Sequence, residues 1–514
     1  MVRWLAMQVR LVNEKMETRS VRPACVIVTV GSLIVSLILL LLYREMGGPG
    51  DELQYYEQAA KLFPFTHTAY GPVYFVWIRL VHDLFGIDWF VVGKITSWMS
   101  AVLFLLLCYQ LFKCVLGPET CWLPLALVAI NPTFIGESYD ALTIMFGAWL
   151  ILAAVVLTLR ASIDRPIQWW LPGLVFGLAY LTRFQALGLL IGAAVGTLLV
   201  PCPRTSTKIK CSVILLISAA ILPFLWNAFL LQRQGYIPRN TNFMHLALGL
   251  GETLTWSDTS TFEKYGSLWG VLTSHWTAPF QIAAHAIKET IKFSFTVGYQ
   301  LLFVAAGWLM PGAVVALVRR DQHKPWLVAF AVGLVLTGIG SLGWLHYYVI
   351  FLPFAAILIT FAIQSPYLPA FRSISRVSWA VIFIATLIWS PFMVRWNFLN
   401  THWPEFTVAR EYIESHRDSE TVVSTTAASL RYGSTIPFVN LRNILRPDES
   451  NELVSSLRRH RITYLVITER HTLYSFPNLK YLLEDHIDNL PVGLRRELLI
   501  REPRRLAIFR VLAS

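Results

Sequence analysis

Eleven long apolar runs, nearly free of charge, occupy most of the first 397 residues and leave few architectures open. The first, Ala24–Tyr43, has 20 residues and no charged side chain. As a helix, such a run is about 30 Å long, the thickness of bilayer hydrocarbon. Hydrocarbon supplies no hydrogen bonds, so a spanning segment must satisfy its own backbone, which a helix does. The runs fall near 24–43, 89–112, 120–136, 141–159, 168–182, 184–200, 211–230, 291–317, 326–343, 347–363 and 377–396. Charged residues make up 14% of the chain and hydrophobic residues 55%, against roughly 25% charged in an average soluble domain. The pattern predicts an all-α polytopic membrane protein with about eleven transmembrane helices.

Lys and Arg in the short loops set the expected orientation. Arg3, Arg10, Lys15, Arg19 and Arg22 precede the first run. On the same side fall Arg160 and Arg165, Arg204, Lys208 and Lys210, Arg319, Arg320 and Lys324, and Arg372 and Arg376. This alternation places the N-terminus in the cytoplasm and, after an odd number of spans, the C-terminus outside. The first run lacks a small-residue cleavage motif after it and reads as a retained signal anchor. The net charge of +12 is spread between spans, not gathered into the basic stripe that nucleic-acid binding needs. None of the six cysteines, Cys25, Cys108, Cys114, Cys121, Cys202 and Cys211, forms a CxxC pair, so neither a zinc nor a redox site is expected. Structural disulfides are not expected in the outer loops.

Three long segments, about 44–88, 231–290 and 398–514, face outward in this topology. The first contains PVYFVWIRLVHDLFG (72–86), apolar on one side with Arg79, His82 and Asp83 on the other. That suits a helix lying in the membrane interface. The last segment, under a quarter of the chain, holds more than a third of its charged residues. Its β-rich runs at 421–424 and 462–468 alternate with helical stretches such as 449–460, which predicts a small extracytoplasmic α/β domain. The expected division is a transmembrane domain over 1–397 and this α/β domain over 398–514. Neither a Gly-rich phosphate loop nor an Asp-x-Asp pair occurs in it.

Several ionisable residues gather on the outward face of this topology. Asp51 and Glu52 follow the first span, with Tyr55 and Tyr56 close behind. Lys94 lies near the outer end of the second span. Glu137 and Asp140 occupy the turn between spans three and four, and Arg183 the turn between five and six. His346, Tyr347 and Tyr348 open span ten. Taken singly, each has an ordinary structural reading, because charged side chains at membrane ends often snorkel to water. Together they offer carboxylates suited to sugar hydroxyls and a general base, and cations suited to a phosphate.

The order of these features resembles the GT-C glycosyltransferases, in particular the polyprenyl- and dolichyl-phosphate-sugar mannosyltransferase and aminoarabinose-transferase group. The resemblance covers about 24–397. It rests on DELQY (51–55), the interfacial segment ending LFG (84–86), ESYDAL (137–142), GLAYLTR (177–183) and YYVIFLP (347–353), with the terminal α/β domain in support. The sequence departs from the family pattern at four places. YGPVY (70–74) replaces a Lys-Pro-Pro-Leu-like run, and Lys94 stands for an Arg. Arg183 stands for a Lys, and HYY (346–348) for an Arg-Tyr pair.

The resemblance implies a membrane glycosyltransferase with a polyprenyl-phosphate-linked sugar donor. It also implies inverting transfer to an acceptor hydroxyl, on a lipid, glycan or protein, at the extracytoplasmic face of the cell membrane. Asp51 is the expected base, with Glu52 as neighbour or orienter and Asp140 binding hydroxyls or sharing the base role. Lys94, Arg183, His346 and Tyr347 are expected at the lipid phosphate, and Tyr55, Tyr56 and Glu137 at the sugar. The donor is already activated, so no cofactor is expected; a divalent metal is conceivable, but no ligand spacing indicates one. Two other readings account for less. A transporter favours charges and broken helices at the membrane midplane, whereas these charges sit at span ends. A non-catalytic membrane scaffold leaves the Asp51–Glu52 pair and the Arg183 turn without a role.

Overall fold

The computed structural model describes residues 2–42, 51–65, 71–140, 142–200, 204–238, 244–251, 264–295, 332–333, 335–336, 349–364, 383–395, 404–427 and, with short gaps, 430–512. The side chains of 2–21 and 51–54 are outside this description. The chain divides into two compact units. One comprises 1–42 and 58–396; the other comprises 43–57 and 397–514.

The first unit is helical. Its helices are α1 (Val2–Leu42), α3 (Val73–Phe85), α4 (Trp89–Leu116), α5 (Trp122–Ala129), α6 (Pro132–Tyr139), α7 (Thr143–Arg160), α8 (Trp170–Tyr180), α9 (Ala186–Leu199) and α10 (Thr205–Gln234). Helix α2 (Asp51–Ala60) runs from the second unit into the first. The helices Leu352–Gln364 and Phe383–Arg395 follow later in the chain. Among the described residues, Arg22–Leu42, Trp89–Leu116, Thr143–Arg160 and Thr205–Gln234 are long and apolar enough to cross a bilayer. Most of the expected spans at 291–317 and 326–343 lies outside the described residues.

Local chemistry explains the breaks. Gly86 ends α3 in the left-handed conformation (φ 63°) and donates its N–H to the His82 carbonyl, a stop that glycine permits without steric cost. Asp88 then starts α4, its carboxylate accepting from the N–H groups of Phe90 and Val91. The run expected as one span at 120–136 is instead two eight-residue helices, α5 and α6. Pro132 disfavours the helical conformation at Asn131. The Asn131 side chain accepts from Thr133 N–H and caps the new start.

Helices α8 and α10 pack closely because two glycines four apart present backbone instead of side chains. A Cβ at Gly173 would collide with Ser218 Oγ and the Leu215 carbonyl, and one at Gly177 with the Ala219 carbonyl. Small residues at such spacing let helices approach closely in a membrane, where packing replaces the hydrophobic effect. Gly173→Ala is therefore expected to destabilise the unit by about 1–3 kcal/mol, the usual range for overpacking. Its thermal midpoint in detergent should fall, whereas Gly31→Ala, with open space around that α1 position among the described residues, should leave the midpoint unchanged or raise it slightly.

The C-terminal end of α10 is clamped to the loop after α2. Phe65 N–H donates to Gln234 Oε1 at 2.8 Å, and Gln234 Nε2 returns a bond to the Phe65 carbonyl at 3.1 Å. Phe63, Phe65, Trp226 and Phe229 pack edge and face around this pairing.

The second unit holds a five-stranded mixed sheet of β1 (Val423–Thr425), β2 (Phe438–Asn440), β3 (Tyr464–Thr468), β4 (Leu494–Ile500) and β5 (Leu506–Val511), in the order β2-β1-β3-β5-β4. β1 is parallel to β2 and β3; β5 is antiparallel to β3 and β4. All five residues of the central strand β3 are buried. Leu465 and Ile467 enter one core with Leu457, Phe476 and Phe509. Tyr464 and Val466 enter the other, with Phe406 and Ile413 of the helix Pro404–Ser415. A strand covered on both faces reads as a continuous apolar run.

Candidate active site

The polar residues singled out in the sequence divide between the two units. Asp51 and Glu52 open α2 in the segment that belongs with the second unit. Tyr55 and Tyr56, one turn on, are nearly fully buried, at 2% and 3% exposure. His346 and Tyr347 lie outside the described residues. Lys94, Glu137, Asp140 and Arg183 belong to the first unit.

Three of those four converge. Arg183 sits in the loop between α8 and α9, where Gly71 presses on the carbonyl of Leu181 so closely that a Cβ would collide with it. The Arg183 N–H donates to the Ala179 carbonyl at 2.7 Å, and the Arg183 carbonyl accepts from Ala186 N–H at 3.3 Å. Its backbone is thus tied to both flanking helices. Its side chain is only 2% exposed and crosses to α7, where Nη1 donates to Thr143 Oγ1 at 2.7 Å. Asp140 and Arg183 are the charges that act on Glu137, whose carboxylate is buried at the end of α6. Glu137 Oε2 has no hydrogen-bond partner among the described residues. An ionisable cluster inside a membrane protein is costly, and marks a functional site unless shown otherwise.

Lys94 lies in the second turn of α4, 7% exposed. Its ammonium donates to the Leu40 carbonyl at 3.1 Å and rests 5.0 Å from the Phe90 ring centre. Leu40 lies in the last turn of α1, where carbonyls lack helical partners, so Lys94 fastens that end of α1 to α4. Asp88 is the charge that acts on it. One turn further along α4, Ser97 Oγ donates to the Leu142 carbonyl at 3.2 Å, just before the Thr143 that holds Arg183. The end of α1, the start of α4, the α6–α7 turn and the α8–α9 loop therefore lie at one end of the helical unit.

The sequence did not single out Thr143, Gly147 or Gly71. Thr143 and Gly147 are four apart on a helix and so share a face, a spacing legible in TIMFG (143–147) only once α7 is known to face Arg183.

Chemically, the arrangement sets a buried guanidinium beside two carboxylates at one end of the helical unit. Guanidinium binds phosphate through planar, charge-assisted hydrogen bonds, and carboxylates accept from sugar hydroxyls. No group of three or more metal-ligating side chains occurs among the described residues.

Among solved structures, the chain is similar to ArnT from Cupriavidus metallidurans bound to undecaprenyl phosphate. The TM-score is 0.57 at 13% identity, covering 95% of this chain and 98% of that one. It is also similar to the oligosaccharyltransferase of Archaeoglobus fulgidus in complex with zinc and sulfate. There the TM-score is 0.50 at 14% identity, covering 85% of this chain and 67% of that one. The chain shares the fold of these two proteins, in keeping with the resemblance read from its sequence. No family model matches the sequence, and no curated protein matches it.

Proposed function

We propose that the protein is a membrane glycosyltransferase that moves a sugar from a polyprenyl-phosphate donor to an acceptor hydroxyl, with inversion, at the extracytoplasmic face. The observation that carries this reading is Arg183, buried beside Glu137 and Asp140 at one end of the bundle, in a fold shared with a protein bound to undecaprenyl phosphate. As bond cleavage proceeds, the leaving lipid phosphate gains charge, which the guanidinium stabilises in place. Lys94, His346 and Tyr347 are assigned to the same phosphate. Asp51 takes the acceptor's proton, with Glu52 beside it, while Asp140 and Glu137 bind hydroxyls. Tyr55 and Tyr56 are assigned to the sugar. The acceptor is a lipid, glycan or protein. The domains follow the same division of labour, with 1–397 as the catalytic membrane part and 398–514 governing acceptor access.

The purified protein in lipid nanodiscs should consume a polyprenyl-phosphate hexose or aminopentose and release polyprenyl phosphate. It should do so equally well in chelator, because the donor is already activated and the reading calls for no metal. Failure to consume any lipid-linked sugar would remove the reading. The face is tested separately. Single cysteines placed by Asp51→Cys and Lys208→Cys in an otherwise cysteine-free chain should label from outside and inside respectively. The reverse pattern would put the carboxylates on the wrong side for this donor.

A further inference from the structure

We infer that Thr143 and Gly147 of α7 are positioning residues that seat the Arg183 side chain for the donor phosphate; the inference rests on the function proposed above. Thr143 is fully buried and its hydroxyl accepts from Arg183 Nη1. Gly147 follows one turn later on the same helix face. A Cβ at Gly147 would lie 2.8 Å from Arg183 Cδ and 2.9 Å from Cγ, closer than real side chains pack. The missing side chain therefore leaves the channel through which the arginine stem runs, and the threonine holds one nitrogen at its tip.

Nothing in the backbone asks for glycine at position 147, which sits inside an α-helix without positive φ. Glycine there costs the helix about 0.5–1 kcal/mol relative to alanine, so its use calls for another explanation, and the arginine stem supplies one. The threonine hydroxyl has a complementary virtue. It is neutral, so it orients the guanidinium without cancelling the charge that a phosphate would meet. Root, stem and tip of Arg183 are thereby fixed by the α8–α9 loop, Gly147 and Thr143. Such fixing matters, because misplacing a catalytic group by about 1 Å can cost roughly 100-fold in rate.

The test measures undecaprenyl phosphate binding and donor turnover in five variants: Gly147→Ala, Thr143→Val, Thr143→Ser, Arg183→Ala and the Gly147→Ala/Arg183→Ala double variant. Gly147→Ala and Thr143→Val should each weaken binding roughly tenfold, in line with loss of one charge-assisted hydrogen bond, and lower kcat as well. Thr143→Ser should restore both. In the Arg183→Ala background, Gly147→Ala should have no further effect, the signature of two residues acting through one group. An equal loss from Gly147→Ala in both backgrounds would reduce the glycine to helix packing and overturn its part of the inference. Wild-type binding and turnover in Thr143→Val would overturn the threonine's part, and that variant stays informative even if Gly147→Ala fails to fold. If Arg183→Ala itself binds the lipid phosphate normally, the phosphate role of Arg183 fails and takes the inference with it. That result differs from the others, which leave the Arg183 role intact.

Discussion

Asp51→Asn is expected to abolish sugar transfer while leaving binding of undecaprenyl phosphate within about twofold of the unmodified protein. An acceptor hydroxyl holds its proton far above neutral pH, so it attacks well only if a base takes the proton as the bond forms. Removing a general base typically costs about 10²- to 10⁴-fold in rate. Asparagine keeps the shape and the hydrogen-bonding oxygen but cannot accept that proton. The substitution is also structurally mild, because Asp51 opens α2 and Asp and Asn serve nearly equally well at helix starts. A fall in kcat with an unchanged thermal midpoint is thus the expected result. Glu52→Gln is the internal control. Should it prove the more damaging change, the base is Glu52. If Asp51→Asn, Glu52→Gln and Asp140→Asn all retain near-normal transfer, none of these three carboxylates is the base. A loss of lipid binding in Asp51→Asn that matches its loss of turnover would make Asp51 a binding group instead.

Much of the helical unit was legible because hydrophobic length is a strong signal: α4 and α10 each contain a run read from the sequence, and α7 overlaps one to within two residues. The break between α5 and α6 was not, although its cause lies in the sequence. Apolar residues continue on both sides of Asn131 and Pro132, so a hydropathy pattern passes over a cap and a helix stop that only local backbone chemistry records. In the second unit, β3 announced itself as an apolar run, while β2, three residues long at an edge of the sheet, offered too little pattern to find. The buried cluster around Arg183 was legible in its charges and not in its supports. Arg183, Glu137 and Asp140 are unusual residues in an apolar chain and draw attention individually. Thr143, Gly147 and Gly71 are ordinary ones, and their importance comes from contacts about 40 to more than 100 residues away in the chain. Lys94 shows the converse: its charge was visible, but its bond to the Leu40 carbonyl depends on the end of α1 lying beside the start of α4.

Arg183→Ala should differ from Asp51→Asn by impairing both stages of the reaction. The donor phosphate is charged before transfer, so the guanidinium contributes to ground-state binding. It gains further charge as the sugar departs, so the same group contributes more in the transition state. Hydrogen bonds to a charged partner are worth about 1.5–3 kcal/mol, which predicts binding weakened by roughly 10- to 150-fold. Loss of one preorganised electrostatic donor predicts a further fall in kcat of about 10²- to 10³-fold. A higher KM with unchanged kcat would restrict Arg183 to uniform binding. The variant should also be less stable. Arg183 is the positive charge acting on buried Glu137 beside Asp140, and its removal leaves two carboxylates facing each other without it. Thermal unfolding should therefore begin earlier in Arg183→Ala than in Arg183→Lys, which keeps the charge. Lysine lacks the planar fork that reaches Thr143 and a phosphate together, so Arg183→Lys should recover stability and only part of the turnover. Full turnover in Arg183→Lys would show that charge alone suffices, and a midpoint as low as that of Arg183→Ala would show that Thr143 and Gly147, not Glu137, set the stability of this corner.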